Sequence, residues 1–346
     1  MIESTTLYTS EAPIVSICCS TYNHEKFICE ALDGFLIQKC NFPVEILIHE
    51  DCSTDNTAAI IKEYQQKYPH LIKPVFQKEN QYSKGIKPFT HLLYPRARGK
   101  YIALCEGDDY WTDPYKLQKQ VDVLEASQEY MFCLGGYKII YQNKQESINV
   151  ILAQSEANDN ENGYPFTLND QKKVQHWKTL TAVFRNDNII IKNLTQYKYL
   201  RDNHLFYHLL KIGNGFYFTE IMGVYRIHEG GVYSLKQGII NKTAAYNIFK
   251  EIYQTNKDEY SRYKFIRAAV ALLSYNLSHL YPGNRIHKNV QLYLEIIFLI
   301  RSIIDLKFLI TVFISPKFKA KTKKLRNDIY KSKVTKFTSK NQALQI

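Results

Sequence analysis

The chain has 346 residues, 45% of them hydrophobic and 23% charged, and a formal net charge of +12. These are the proportions of a folded soluble protein, long enough for one large domain plus an extension. The charge is unevenly placed: from Lys317 onward ten basic residues face one acid, so the rest is nearly neutral and a whole-protein nucleic-acid binder is excluded. Seven cysteines at 18, 19, 29, 40, 52, 105 and 133 show no CxxC or Cys/His zinc spacing, which predicts reduced thiols in a cytoplasmic protein. The N-terminal MIESTTLYTSEAPIV lacks the basic start and apolar block of a secretory leader.

Strand-like and helix-like segments alternate over the first 130 residues. IVSICC (14–19) reads as a buried strand, followed by a helix over 25–38. VEILIH (44–49) is a second strand and NTAAIIKEYQQKY (56–68) a second helix. LIKPVFQ (71–77) is a third strand, weakened by Pro74, and a helix over about 86–97 leads to a fourth strand, KYIALCE (100–106). Another helix follows over about 114–127. This order predicts an α/β fold, a Rossmann-like, mainly parallel sheet with helices on both faces. Residues 142–175 are polar and read as a loop; RDNHLFYHLLKIG (201–213) reads as a helix, and helices continue beyond about 240. The expected division is a domain over 1–235, with a nucleotide-binding half to about 130, then helices over 236–315 and a basic tail over 316–346.

Ligands of such sheets sit beyond the carboxyl ends of the strands. After the fourth strand comes EGDDYWTDP, where Asp113-Pro114 supplies a helix cap and leaves Asp108 and Asp109 surplus to folding. Two adjacent carboxylates favour a divalent cation that removes their repulsion, and Gly107 lets backbone approach a ligand. After the second strand, Glu50 and Asp51 can accept hydrogen bonds from a ribose or a uracil ring, while Asp55 reads equally as a helix cap. After the first strand, Ser20 offers a hydroxyl and Tyr22 a ring that can stack on a base. Together these describe a nucleotide site.

The segments VSICCSTYNHEKFICEALDGFLIQ, HEDCSTDNT, RGKYIALCEGDDYWTDPYKLQKQ and YRIHEGGVYS strongly resemble family 2 glycosyltransferases of the GT-A fold, in the bacterial branch that builds surface polysaccharides. The resemblance covers residues 13 to about 235. It implies that Tyr22 and Asp51 bind the nucleoside of a nucleotide-sugar donor. It also implies that Asp109 is the direct ligand of Mn2+ or Mg2+, with Asp108 reaching the ribose. Glu50 departs from the family's more usual aspartate. By the same resemblance Asp202 is the candidate base, with helix capping as its bland alternative and Arg201 an unusual neighbour. Arg226 and His228 lie on a Gly-rich loop that would close over the diphosphate, with His228 approaching the metal. Lys84 is a candidate for base or phosphate contact, and Trp177 for a sugar face or the core. An inverting transfer to a saccharide or lipid-linked acceptor is the implied reaction. A nucleotidyltransferase and a catalytically silent nucleotide-sugar-binding scaffold are the rival readings.

Charges at Glu295, Arg301, Asp305 and Lys307 interrupt the apolar stretch 289–315, so it is too broken to span a membrane. At 100° per residue Leu292, Ile296, Leu299, Ile300, Ile303 and Ile304 share one face of an amphipathic helix, whose occupant is either the catalytic domain or a membrane. The basic tail favours an anionic membrane surface, which gives an expectation of a peripheral protein at the inner face of the cell membrane.

Overall fold

The computed structural model describes residues 12–141, 162–168, 170, 178–229, 238–278 and 285–300. The chain divides after Leu235 into two compact units. In the first, strands β1 (Val15–Thr21), β2 (Val44–Glu50), β3 (Ile72–Phe76) and β4 (Tyr101–Leu104) form a parallel sheet in the order β3-β2-β1-β4. Helices α1 (Ile28–Leu36), α2 (Thr57–Lys67) and α3 (Lys116–Ala126) alternate with them. Successive residues point to opposite faces, and both faces are apolar: Ile17, Cys19, Ile46 and Ile48 join one core, Cys18, Leu47, Ile102 and Leu104 the other. Pro74 is tolerated because β3 lies at the sheet edge.

The remaining strands complete a nine-stranded mixed sheet. They are β5 (Tyr110–Trp111), β6 (Tyr130–Tyr141), β7 (Gly163–Phe166), β8 (Val183–Arg185) and β9 (Asn214–Ile227). β8 joins antiparallel to β4 and β6, while β9 pairs parallel to β6 and antiparallel to β5 and β7. Helices α4 (Asn188–Thr195) and α5 (Asp202–Ile212) pack on the second core. β7 corrects the expectation of a loop throughout 142–175. Tyr164 stacks on Tyr217 of β9 at 5.5 Å and Phe166 meets Phe132 edge-on at 5.4 Å, so aromatic cross-strand pairs hold a short strand in a polar setting. The helix expected over 86–97 is instead one π turn (Pro88–Leu93) and one 3-10 turn (Tyr94–Arg96). Pro95 has no N–H to continue the α ladder, and the hydrogen-bond spacing changes around it.

All seven cysteines are free. Away from the strand ends that carry the candidate site, buried Glu45 ties the sheet together by accepting from Ser16 Oγ at 2.7 Å, Arg98 Nη2 at 2.9 Å and Lys73 Nζ at 3.1 Å.

The second unit contains α6 (Gly238–Asn256), α7 (Glu259–Ser278) and α8 (Arg285–Leu299). Leu292, Ile296 and Leu299 of α8 are buried in one cluster with Phe265, Ile266, Ala269 and Leu273 of α7. Arg262 Nη1 donates to the Leu299 carbonyl at 2.6 Å, and Lys250 pairs with Glu295 at 2.7 Å. The expected apolar face therefore packs within this unit. A different set, Tyr293, Leu294, Ile297 and Phe298, is exposed, Phe298 by 82%. Residues 301–346, with the rest of the expected amphipathic helix and the basic tail, lie outside the described residues. Among the described residues no helix is long and apolar enough to cross a membrane.

Candidate active site

The loops that follow β1, β2 and β4 meet at one rim, where backbone groups link them. Asp51 N–H donates to the Thr21 carbonyl at 3.0 Å and Gly107 N–H to the Ser20 carbonyl at 3.0 Å. Asn23 adopts φ 55° and Cys52 φ 60°, left-handed conformations in which the two loops exchange hydrogen bonds. Asn23 N–H donates to Ser53 Oγ at 2.9 Å, and Thr54 N–H to Asn23 Oδ1 at 2.8 Å. Asp55, one residue before the N-cap position, accepts from Thr57 N–H at 3.0 Å and Glu25 N–H at 3.1 Å, a structural role. Tyr22 stands 42% exposed at this rim, where a planar ligand can lie on its ring.

Asp51 is buried, and its two oxygens accept Gln81 N–H at 2.7 Å and Tyr82 N–H at 3.0 Å. It thereby fixes the turn 82–84 that carries exposed Lys84, whose ammonium pairs with Glu79. Each carboxylate oxygen has a second lone pair, so this anchoring leaves acceptor capacity. Glu50 is also buried and accepts Ser53 N–H at 2.7 Å. Buried His49 lies 3.6 Å from Asp51; burial lowers its pKa, against the opposing fields of Asp51 and Glu50.

The two adjacent aspartates have different partners. Asp109 is buried beneath the rim and accepts Arg226 N–H at 2.8 Å. Burial, reinforced by Asp108 and Glu106, raises its pKa well above the usual carboxylate range. Asp108 Oδ2 instead lies 3.0 Å from His228 Nε2 and 3.9 Å from His24 Nε2. Burial works against its ionisation, but the His228 hydrogen bond and the fields of both histidines outweigh it and hold the pKa below the usual value. One donor atom each from His24, Asp108 and His228 lie within 4.8 Å of one another, a spacing able to hold a metal ion. Asp109 is not part of this group. Asp108 was expected as the ribose contact and Asp109 as the direct ligand; in this geometry it is Asp108 that lies with the two histidines, while Asp109 is turned inward to the β9 backbone.

Arg226 likewise has internal partners: Nη1 donates to the Asp108 carbonyl at 2.8 Å, Nη2 pairs with Glu30 at 2.5 Å, and the guanidinium lies 4.5 Å from the Tyr110 ring centre. It braces the turn that presents Asp108. Gly107 is needed for close packing. A Cβ there would lie 2.8 Å from Thr21 Oγ1 and 3.1 Å from His24 Nδ1, so the close approach is to protein, not to a ligand.

Glu106, not singled out in the sequence, accepts from Thr179 Oγ1 at 2.9 Å. Burial, then the charges of Asp202 and Asp108, raise its pKa to about 7. These couplings place Asp202 in the same acidic group. Asp202 is the first residue of α5, and the cap is made at Arg201, whose N–H donates to His204 Nδ1 at 3.1 Å. Capping is therefore not what Asp202 does. Its residue is exposed, yet desolvation by neighbouring atoms raises the carboxyl pKa, opposed by Lys178 and more weakly by Arg201. The Arg201 guanidinium turns to Tyr82 Oη at 3.2 Å and the Leu200 carbonyl at 3.4 Å. Lys178, whose field reaches both Asp109 and Asp202, was also missed in the sequence. Trp177 lies outside the described residues.

With this geometry in hand, comparison with known proteins is informative. Residues 16–185 match the profile of Glycosyl transferase family 2. The uncharacterized protein Rv1520 of Mycobacterium tuberculosis is 46% identical over 129 residues, 37% of this chain and 36% of that one. The UDP-Glc:alpha-D-GlcNAc-diphosphoundecaprenol beta-1,3-glucosyltransferase WfaP of Escherichia coli is 31% identical over 126 residues, 36% of this chain and 47% of that one. The chain thus spans a third to a half of the length of these curated relatives. Among solved structures, S. aureus TarS 1-349 in complex with UDP-GlcNAc aligns with a TM-score of 0.62 over 89% of this chain and 88% of that chain, at 17% identity. Its likeness is one of fold. The profile match marks residues 16–185 as similar to Glycosyl transferase family 2, and the shared architecture with TarS is that of the GT-A fold.

Proposed function

We propose that the protein is an inverting, metal-dependent glycosyltransferase that moves a sugar from a uridine diphosphate donor to a saccharide or lipid-linked acceptor in cell-surface polysaccharide synthesis. The observation that carries this reading is the separation of two acidic functions at one rim. Asp108, held anionic beside His228, adjoins the β1 and β2 loops, while Asp202 stands at the mouth of α5 with a raised pKa. The donor class is supported by the uridine nucleotides in the names of WfaP and of the TarS complex, and the acceptor class by the WfaP name.

The residues fit a divalent cation such as Mn2+ or Mg2+. An ionised carboxylate and an imidazole nitrogen already point at a shared position, and buried His24 Nδ1 lacks a hydrogen-bond partner. Asp108 and His228 would hold the ion, which when bound offsets the charge that develops on the leaving diphosphate. Tyr22 stacks on the base, Asp51 and Glu50 fix the loops around it, and Lys84 lies on the turn that Asp51 anchors. Asp202 accepts the proton of the acceptor hydroxyl as its oxygen bonds to the anomeric carbon. The sugar–diphosphate bond breaks on the opposite side and its electron pair leaves with the diphosphate. Direct displacement inverts the anomeric centre without a protein nucleophile. A raised pKa makes Asp202 a stronger base than a solvated carboxylate.

The exposed Tyr293, Leu294, Ile297 and Phe298 face of α8, followed from Lys317 onward by ten basic residues, is complementary to an anionic lipid surface, apolar to its acyl region and cationic to its headgroups. This would bring a cytoplasmic enzyme to a lipid-linked acceptor at the inner face of the cell membrane. A panel of nucleotide sugars with Mn2+ or Mg2+, scored for nucleotide release in the presence of polyprenyl-diphosphate sugars, tests the reaction. Sugar transfer with release of uridine diphosphate is expected. Pyrophosphate release from a nucleoside triphosphate would show a nucleotidyltransferase, and nucleotide-sugar binding without turnover a scaffold.

A further inference from the structure

We infer that His24, on the loop after β1, is a third protein ligand of the cation, completing a two-imidazole, one-carboxylate site with Asp108 and His228 that favours a first-row transition ion over Mg2+. This rests on the metal-assisted reading above and deepens it by naming the class of ion. Its starting point is a ring nitrogen that no hydrogen bond of the fold uses. His24 Nδ1 is buried without a hydrogen-bond partner, and Nε2 lies 3.9 Å from Asp108 Oδ2, beyond hydrogen-bonding reach. A buried ring nitrogen without a hydrogen-bond partner is costly, and the loop nevertheless holds the ring in place. His24 N–H donates to Thr57 Oγ1 at 2.8 Å, the preceding Asn23 is in the left-handed region, and Phe27 packs on the ring at 6.2 Å. The His24 and His228 rings approach edge-on, 6.1 Å between centres and 83° apart.

The separations suit a shared ion. Donors about 2.1 Å from a metal lie ~3 Å apart when adjacent in an octahedron and ~4 Å apart when opposed. The observed 3.0 Å and 3.9 Å to Asp108 fall within those limits. Gly107 permits the arrangement, because any side chain there would press on His24 Nδ1 and Thr21 Oγ1. Mg2+ binds oxygen ligands and sheds water reluctantly, whereas imidazole nitrogen suits Mn2+ and the later first-row ions progressively better. Two nitrogens in the protein's share of the coordination sphere therefore disfavour Mg2+.

The test uses the full-length chain with uridine diphosphate and Mn2+, read by electron spin echo modulation, which counts coordinated imidazole nitrogens, and by Mn2+ titration with Mg2+ as competitor. The wild type should show two coupled imidazoles. His24→Asn and His228→Asn should each show one, and His24→Asn should bind Mn2+ at least about tenfold more weakly, since even indirect supports of a metal site contribute that much. Mg2+ affinity should change by less than about twofold in His24→Asn. One imidazole in the wild type, lost in His228→Asn and kept in His24→Asn, would overturn the role of His24 while leaving the metal reading intact. Saturable Mn2+ binding with no imidazole would overturn the inference outright, and absence of Mn2+ binding would overturn the metal reading with it. The wild-type nitrogen count needs no variant, so a folding defect in His24→Asn cannot shelter the proposal.

Discussion

Replacing each of the adjacent aspartates by asparagine should give opposite results. Asp109 has a pKa far above the usual range and accepts a single backbone N–H from Arg226. An amide oxygen accepts that bond equally well, so Asp109→Asn keeps the shape and the hydrogen bond while removing a carboxyl whose ionised form burial already disfavours. The expected loss of stability is about 1 kcal/mol or less, and Mn2+ affinity should be largely retained. Asp108 is held ionised between two histidines, and its charge is the attraction that a cation would feel. At about 4 Å and an effective dielectric of about 20, one pair of unit charges is worth about 4 kcal/mol, or roughly three decades in affinity. Asp108→Asn should therefore weaken Mn2+ by about a thousandfold and lower nucleotide release by a similar factor, with little change in melting temperature. Mn2+ titration, nucleotide release and thermal melting of the two variants side by side form the assay. If Asp109→Asn lost the metal while Asp108→Asn kept it, the assignment drawn from their hydrogen bonds would be refuted and the sequence resemblance would have named the right ligand.

Asp202→Asn should cut turnover by about 10²–10⁴-fold with Mn2+ and nucleotide affinities unchanged. In the wild type the acid limb of the rate profile should lie above pH 3.8, because the raised carboxyl must lose its proton to serve as base; full activity in Asp202→Asn would remove the role. Lys116 is buried, with Nζ 2.8 Å from Gln120 Oε1 and 4.0 Å from the Trp111 ring centre, and burial lowers its pKa from 10.5 to about 7. The unfolded chain holds this proton more tightly, so the destabilisation is complete below pH 7 and fades as pH rises to 10.5. Lys116→Met should raise stability in urea melts, by at most about 5 kcal/mol at pH 6, with the gain shrinking toward pH 10. A gain independent of pH would contradict a buried titrating amine. Phe298→Ser with Ile297→Ser should reduce co-sedimentation with anionic liposomes several-fold and leave turnover on a soluble acceptor unchanged; undiminished binding would move the membrane contact elsewhere.

The strand pattern was legible because each central strand buries both faces and so reads as an unbroken apolar run, as in β1 and β2. What escaped the sequence depended on partners far along the chain. β7 is held by aromatics of β9 and β6, and no local periodicity in GYPF announces them. What covers the face of α8 stayed open for a related reason. Helical geometry grouped Leu292, Ile296 and Leu299 correctly as apolar, but which apolar stripe is covered depends on where α7 lies.

The candidate site shows the same division. Position along the strands led to the rim where the loops after β1, β2 and β4 meet, but adjacency in sequence could not say which aspartate lies beside the histidines. Asp108 and Asp109 differ by one residue, and the turn before β5 directs them to different surroundings. Arg226 then adds a constraint that only the fold reveals: its N–H draws Asp109 inward while its guanidinium holds the Asp108 carbonyl. One residue thereby braces the turn from both sides, leaving the Asp108 carboxylate to the histidines. Charge repulsion between the neighbours is relieved before any ion arrives, because the buried partner has its pKa raised and the outer one has its pKa lowered. The opposite shifts of the two carboxyls follow from their different environments, and that difference makes the asparagine pair a sharper probe than either substitution alone.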